Sequence, residues 1–200
     1  MIKYALNNCL VKIKRRFQDS TGKIKIDTSW HPEEYATMEG IVYSAPLKVQ
    51  QNESRRVMKM VKEGDRVFFS YSVVFGYTLQ AENQSPVYKN LVVINGEEYW
   101  KVDMCDLFFN ITENDEIEMV TDHVLLSMFP VEHSVKNTSG LLINQKVPEH
   151  LGIVKALPNN KNLSVRVGDT VCFEPRFVQK YNILGQEHMI IQTHRLLAKA

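Results

Sequence analysis

The same ordered series of short signals runs through this sequence twice, which points to one small architecture built two times in a row. Val61-Lys-Glu-Gly-Asp-Arg-Val67 recurs as Val165-Arg-Val-Gly-Asp-Thr-Val171. Upstream, Glu39-Gly-Ile-Val42 matches Leu151-Gly-Ile-Val154, and further upstream Asn8-Cys-Leu-Val-Lys12 is set against Asp122-His-Val-Leu-Leu126. Downstream, Asn95-Gly-Glu-Glu-Tyr99 matches Leu184-Gly-Gln-Glu-His188, and Cys105-Asp-Leu-Phe108 matches His194-Arg-Leu-Leu197. Chance does not keep five correspondences in one order. The repeated Gly-Asp block reads as a turn into a strand: glycine permits the turn, aspartate bonds back to turn amides, and the Val-x-Phe that follows in both halves (Val67-Phe-Phe69, Val171-Cys-Phe173) alternates into a core.

Apolar runs elsewhere are equally short, rich in Val, Ile, Phe and Tyr, and bounded by Gly, Asn, Asp or Pro, so the chain reads as all-β. Strands are expected at Cys9–Lys14, Gly40–Ser44, Arg66–Tyr71, Glu98–Val102, Val124–Phe129, Gly152–Ala156, Thr170–Phe173 and Met189–Gln192. Glu53–Lys62 is the helical candidate, though neither end carries a clear cap. The polar run Thr112–Glu116 is either a connector between modules or an acidic turn within one. Taken with the repeat it places a boundary near residue 113, giving a first module over 1–112 and a second over 114–200. With 200 residues, each module still has the length of a small domain.

Charge and chemistry-bearing residues exclude several function classes. Lys and Arg number 24 against 23 Asp and Glu, so no global field draws the protein to nucleic acid or to an anionic membrane. No run approaches the ~20 apolar residues of a membrane span. Cys9, Cys105 and Cys172 are odd in number and widely spaced, and read as reduced thiols of a cytoplasmic protein. The six histidines form no metal-ligand spacing; His31 lies beside Trp30 and Pro32, and the other five are scattered over the second half. No nucleophile elbow, Walker loop or dinucleotide fingerprint occurs. Neither a catalytic residue, a metal site nor a cofactor is expected.

The second half resembles the GroES-type co-chaperonin (chaperonin-10) family over nearly its whole length. The resemblance is carried by Ile117-Glu-Met-Val-Thr-Asp-His-Val-Leu-Leu126, Ser139-Gly-Leu-Leu-Ile143, Leu151-Gly-Ile-Val154, Val165-Arg-Val-Gly-Asp-Thr-Val-Cys-Phe173, Gly185-Gln-Glu-His-Met-Ile-Ile191 and Arg195-Leu-Leu-Ala198. It implies two tandem GroES-like irregular β-barrels that form a ring and grip a GroEL-type chaperonin through a loop bearing a Gly-Gly-hydrophobic tripeptide. Gly140, Leu141, Leu142 and Ile143 stand at that place, with Ser139 where the family has its first glycine. Read from residues alone, Leu141–Ile143 is either a buried barrel strand or an apolar triplet in a polar loop awaiting a partner.

In the first half the matching loop carries Thr21-Gly-Lys-Ile-Lys-Ile26, a secondary candidate in which Gly22 precedes Ile24 and Ile26. Those two isoleucines share one face of an extended segment and Lys23 and Lys25 the other, which suits a half-exposed strand as well as a groove-filling anchor. Between the Gly-Ile-Val strand and the Gly-Asp turn, the first module has room for the hairpin that roofs the family's ring, and the second has a shortened one. The first module adds a segment, 73–92, expected as an extra hairpin or contact surface.

Edge strands in the family pair with neighbouring subunits, so a homo-oligomer is implied, with Met1–Leu6 and His194–Leu197 left to join other chains. Two modules per chain cannot evenly fill the seven-module ring usual in bacterial members. The leading expectation is a co-chaperonin that assists protein folding. The rival is a structural or assembly protein, of a virus particle or other large complex, that reuses the barrel.

Overall fold

The computed structural model describes residues 7–14, 36–50, 56–75, 77–78, 87–128, 135–136, 142–143, 150–160 and 163–199. Two compact units emerge, Met1–Asp122 and His123–Ala200. Among the described residues of the first unit the strands are β1 (Asn8–Lys12), β2 (Glu39–Ser44), β3 (Arg66–Phe69), β4 (Tyr77–Thr78), β5 (Val87–Tyr88), β6 (Leu91–Ile94), β7 (Glu97–Asp103), β8 (Leu107–Ile111) and β9 (Ile117–Met119), with a short α-helix, α1 (Ser72–Phe75). The second unit has β10 (His123–Met128), β11 (Val135–Lys136), β12 (Leu142–Ile143), β13 (Leu151–Ala156), β14 (Thr170–Phe173), β15 (Gln179–Ile183), β16 (Gln186–Gln192) and β17 (Leu196–Lys199).

Both units lay down their strands in one order. The first sheet runs β6-β7-β1-β2-β3-β8, extended at its edge by β9, and the second runs β15-β16-β10-β13-β14-β17. Individual hydrogen bonds repeat as well. In the first Gly-Asp turn, Val42 N–H donates to Asp65 O at 2.9 Å and Gly64 N–H to Val42 O at 2.8 Å; in the second, Val154 N–H donates to Asp169 O at 2.9 Å and Gly168 N–H to Val154 O at 2.9 Å. The aspartate does what the sequence pattern requires of it, since Asp65 Oδ2 accepts from Lys62 N–H at 2.8 Å and Asp169 Oδ2 from Arg166 N–H at 2.8 Å. Gly64 and Gly168 take φ of 91° and 93°, a region open to glycine and costly for other residues.

Each buried residue of the second unit's core has a counterpart in the larger core of the first. Val124, Leu126, Val154, Val171, Phe173, Met189 and Ile191 fill the second unit. Cys9, Val11, Val42, Val67, Phe69, Trp100 and Val102 hold the equivalent places in the first. This superposition corrects the sequence alignment at one point: pairing sets Asn8 opposite Asp103 and His123 opposite Gln192, so Asn8 corresponds to His123 and not to Asp122. The ladder is irregular at the same place in each unit, with Tyr43 of β2 the extra residue opposite Leu10 and Val11, and Lys155 of β13 opposite Leu125 and Leu126. One residue of slip exchanges the inward and outward faces, so the true register is the one that buries Val11 and Leu126 together.

Three local expectations change. Of the helical candidate Glu53–Lys62, the described part, 56–62, is not helical; Val57 bridges Thr121, and the amides of Met58 and Lys59 donate to Val120 O at 2.8 and 3.2 Å. The Thr112–Glu116 run is a turn inside the first unit, closed by Thr112 N–H to Glu116 O at 2.9 Å and Glu116 N–H to Thr112 Oγ1 at 3.1 Å. It leads into β9, which pairs with β8 (Phe109 with Met119), so the first unit extends to Asp122. Within the added segment of the first unit, α1 drives Val73 and Val74 into the core, and β4 pairs with β5. The Tyr88 ring lies 6.1 Å from that of Trp100, so part of this insertion seals the core.

Candidate partner-binding loop and strand edge

In the second unit β10 leaves the sheet at Met128 and β13 enters at Leu151, and Met128 is the register partner of Gly152. Met128 and Leu151, where the chain leaves and re-enters the sheet, therefore lie on adjacent strands at one end of the unit. Within that excursion Val135 pairs with Ile143 and Lys136 with Leu142, forming a two-stranded ribbon separate from the six-stranded sheet. Of the predicted loop residues, Leu142 and Ile143 have their backbone in this ribbon; Gly140 and Leu141 lie outside the described residues. The first unit makes its excursion at the equivalent place, between Lys12 and Glu39, with Lys12 in register with Ile41. Gly22, Ile24 and Ile26 also lie outside the described residues.

The roots of the two excursions differ in chemistry. In the first unit Lys12 Nζ lies 2.9 Å from Glu97 Oε2 and 5.8 Å from the centroid of the Tyr99 ring. Tyr99 OH donates to the same Glu97 oxygen at 2.6 Å, and the Tyr43 and Tyr99 rings approach to 4.3 Å. The hydrogen bond from Lys12 and then that from Tyr99 hold the Glu97 carboxyl below its ordinary range, and the Tyr99 phenol is pushed up chiefly because it donates to Glu97. At the matching positions the second unit has Ser127, Gln186, His188 and Lys155, a set without an ion pair. Sequence reading missed this clamp. The Glu97-x-Tyr99 alternation on one face of a strand was its signal, but the partner Lys12 becomes evident only from strand register.

The second exposed feature is an edge. Segment 117–122 is held on two sides in the first unit: β9 lies along β8, and the strap at 56–59 lies against it from the other side. Arg56 Nη1 reaches Asp122 Oδ2 at 3.4 Å, Lys59 pairs with Glu118, and Thr121 Oγ1 donates to Leu107 O at 2.8 Å. In the second unit β17 occupies the place of β8. Among the described residues β17 pairs with β14 alone, and Leu197 on it is 63% exposed.

Among the described residues no group of three or more His, Cys, Asp or Glu is arranged to hold a metal. His188 is buried with Nδ1 2.9 Å from Gln186 O, while His31 and His133 lie outside the described residues. Cys9 is fully buried, and burial pushes its thiol up to about 12, far from a reactive thiolate at neutral pH. No helix among the described residues is long and apolar enough to cross a membrane.

Comparison with known proteins gives this arrangement a family. The family described as the chaperonin 10 Kd subunit matches residues 116–200. Two relatives, each a Co-chaperonin GroES, from Borreliella afzelii and from Borreliella burgdorferi, are 34% identical over 85 residues, which span 41% of this chain and 92% of the relative. The chain belongs to the chaperonin 10 family. The chaperonin 10 match starts at Glu116, ahead of β9, so the opening strand of the matched region is housed in the first unit's sheet. The first unit repeats the strand order of the matched one, so the chain is nearly all β, with two sheets of one topology that agree with a pair of GroES-like barrels.

Proposed function

We propose that this chaperonin 10 family protein is a cytoplasmic, non-enzymatic co-chaperonin that binds a GroEL-type chaperonin ring through Gly140, Leu141, Leu142 and Ile143, with Gly22, Ile24 and Ile26 as a secondary contact. The observation that carries the reading is the placement of Leu142 and Ile143 in a ribbon apart from the barrel sheet, inside the family-matched region. An apolar triplet on such an excursion is offered to a partner's groove, and ordering it on binding costs entropy that keeps the grip reversible. The ion-pair clamp at the root of the first unit's excursion suits a support role better than a flexible grip.

Assembly into a closed homo-oligomer follows from the edges. Residues 1–6 correspond to 116–121, which fill the edge of β8, with Ile2 at the place of Ile117 and Tyr4 at that of Met119. The unfilled edge of β17 would take residues 1–6 of the next chain. The test is capture of the purified protein by a GroEL-type chaperonin, with ATP, with ADP and without nucleotide, followed by native mass measurement of the cap. Capture that depends on nucleotide and disappears in Leu142→Asp is expected, with more than one chain per cap. Capture unaffected by Leu142→Asp, or no capture under any nucleotide state, refutes the reading.

A further inference from the structure

The hairpin between β15 and β16 turns on Leu184 and Gly185, with φ of 51° and 79°. The equivalent hairpin of the first unit turns on Asn95 and Gly96, with φ of 53° and 82°. Two-residue turns of this hand need left-handed backbone at both positions, which asparagine adopts readily and leucine does not. Leu184 is also 48% exposed, so it combines an unfavourable backbone with an apolar side chain left in water.

The position of the turn suggests what offsets these two costs. Ser127 pairs with His188, so β10 leaves the sheet alongside Glu187 and Gln186, the residues that directly follow the turn. With strands ~4.8 Å apart, the Leu184 tip stands within about 10 Å of the root of the 129–150 excursion. Strained residues that a fold retains are concentrated at binding sites. We infer that Leu184 is a second apolar anchor, which meets the same chaperonin surface beside the groove that takes Leu142. This rests on the co-chaperonin reading above.

The test sets Leu184→Asn, which installs the first unit's own turn residue, beside Leu184→Met and Leu142→Asp, measuring chaperonin affinity and melting temperature for each. Leu184→Asn is expected to raise the melting temperature and to weaken capture by about tenfold or more, the loss expected for one buried leucine contact. Leu184→Met keeps an apolar tip and retains capture. If Leu184→Asn is captured like the unaltered protein while Leu142→Asp is not, the second anchor is overturned and the co-chaperonin reading stands. A melting temperature that falls or does not move in Leu184→Asn removes the strain premise and overturns it too. No capture of the unaltered protein overturns both.

Discussion

Replacing Gly40 with alanine tests how closely β1 and β2 approach behind the bulge at Leu10 and Val11. A Cβ at Gly40 would lie 2.5 Å from Val11 Cγ1, 2.7 Å from the Lys12 carbonyl oxygen and 2.9 Å from Ile13 Cγ2. The carbonyl belongs to the backbone of the paired strand, so relief requires the ladder itself to move. Overpacking costs ~1–3 kcal/mol, and this contact falls at the upper end because backbone must yield. Against it stands the ~0.5–1 kcal/mol gained when alanine replaces glycine in regular structure. The net loss is about 2 kcal/mol. Gly152, at the same place in the second unit, meets only side chains, Leu126 Cδ1 at 3.1 Å, Leu126 Cβ at 3.2 Å and Met189 Cε at 3.2 Å, and yielding there leaves a loss of at most about 1 kcal/mol. Amide hydrogen exchange reads each unit separately. Gly40→Ala should speed exchange of the protected first-unit amides, Val42 among them, by about thirtyfold. Gly152→Ala should speed the Val154 amide by no more than about fivefold. Equal effects at the two glycines would refute the argument that backbone approach, rather than crowding in general, demands Gly40.

Two further outcomes follow from the described chemistry. Cys9, buried with Sγ 3.6 Å from Val102 O, should resist alkylation at pH 8 in the folded protein and react after denaturation, as mass spectrometry of the labelled peptides would show. Labelling of Cys9 in the native state would contradict its burial. The Glu97 carboxyl should titrate below its ordinary 4.5 and return toward it in Lys12→Met, followed by NMR. A depressed folded pKa means that the clamp's stabilisation is present above the unfolded value and fades as pH falls through the folded one. A Glu97 titration unmoved by Lys12→Met would show that Lys12 is not the principal cause.

Much of the architecture was open to reading because its signals are local. Short β-branched runs ended by Gly-Asp and Asn-Gly turns report strands directly, and their recurrence in order reported two copies of one barrel. From residues alone Leu141–Ile143 reads either as a buried strand or as an apolar triplet in a polar loop. Pairing between distant residues decided the rest. An acidic turn and an interdomain linker have the same composition, and what made Thr112–Glu116 a turn is the pairing of 117–119 with 107–111. Residues 56–62 carry charges and methionines that suit a helix, but the amides of Met58 and Lys59 donate to Val120 O across the unit, and a non-helical strap is the result. The one-residue offset between Asn8 and His123 leaves no mark in composition either, because it is set by the pairing of Asn8 with Asp103 and of His123 with Gln192. The Lys12, Glu97 and Tyr99 clamp and the strained Leu184 turn likewise depend on register and backbone angle. Sequence by itself determined the strand content and the order in which its signals recur, since each is encoded in neighbouring residues. Tertiary structure alone decided where one unit ends, which faces are buried and which edge lacks a partner among the described residues, because hydrogen-bond pairing between strands far apart in the chain sets all three.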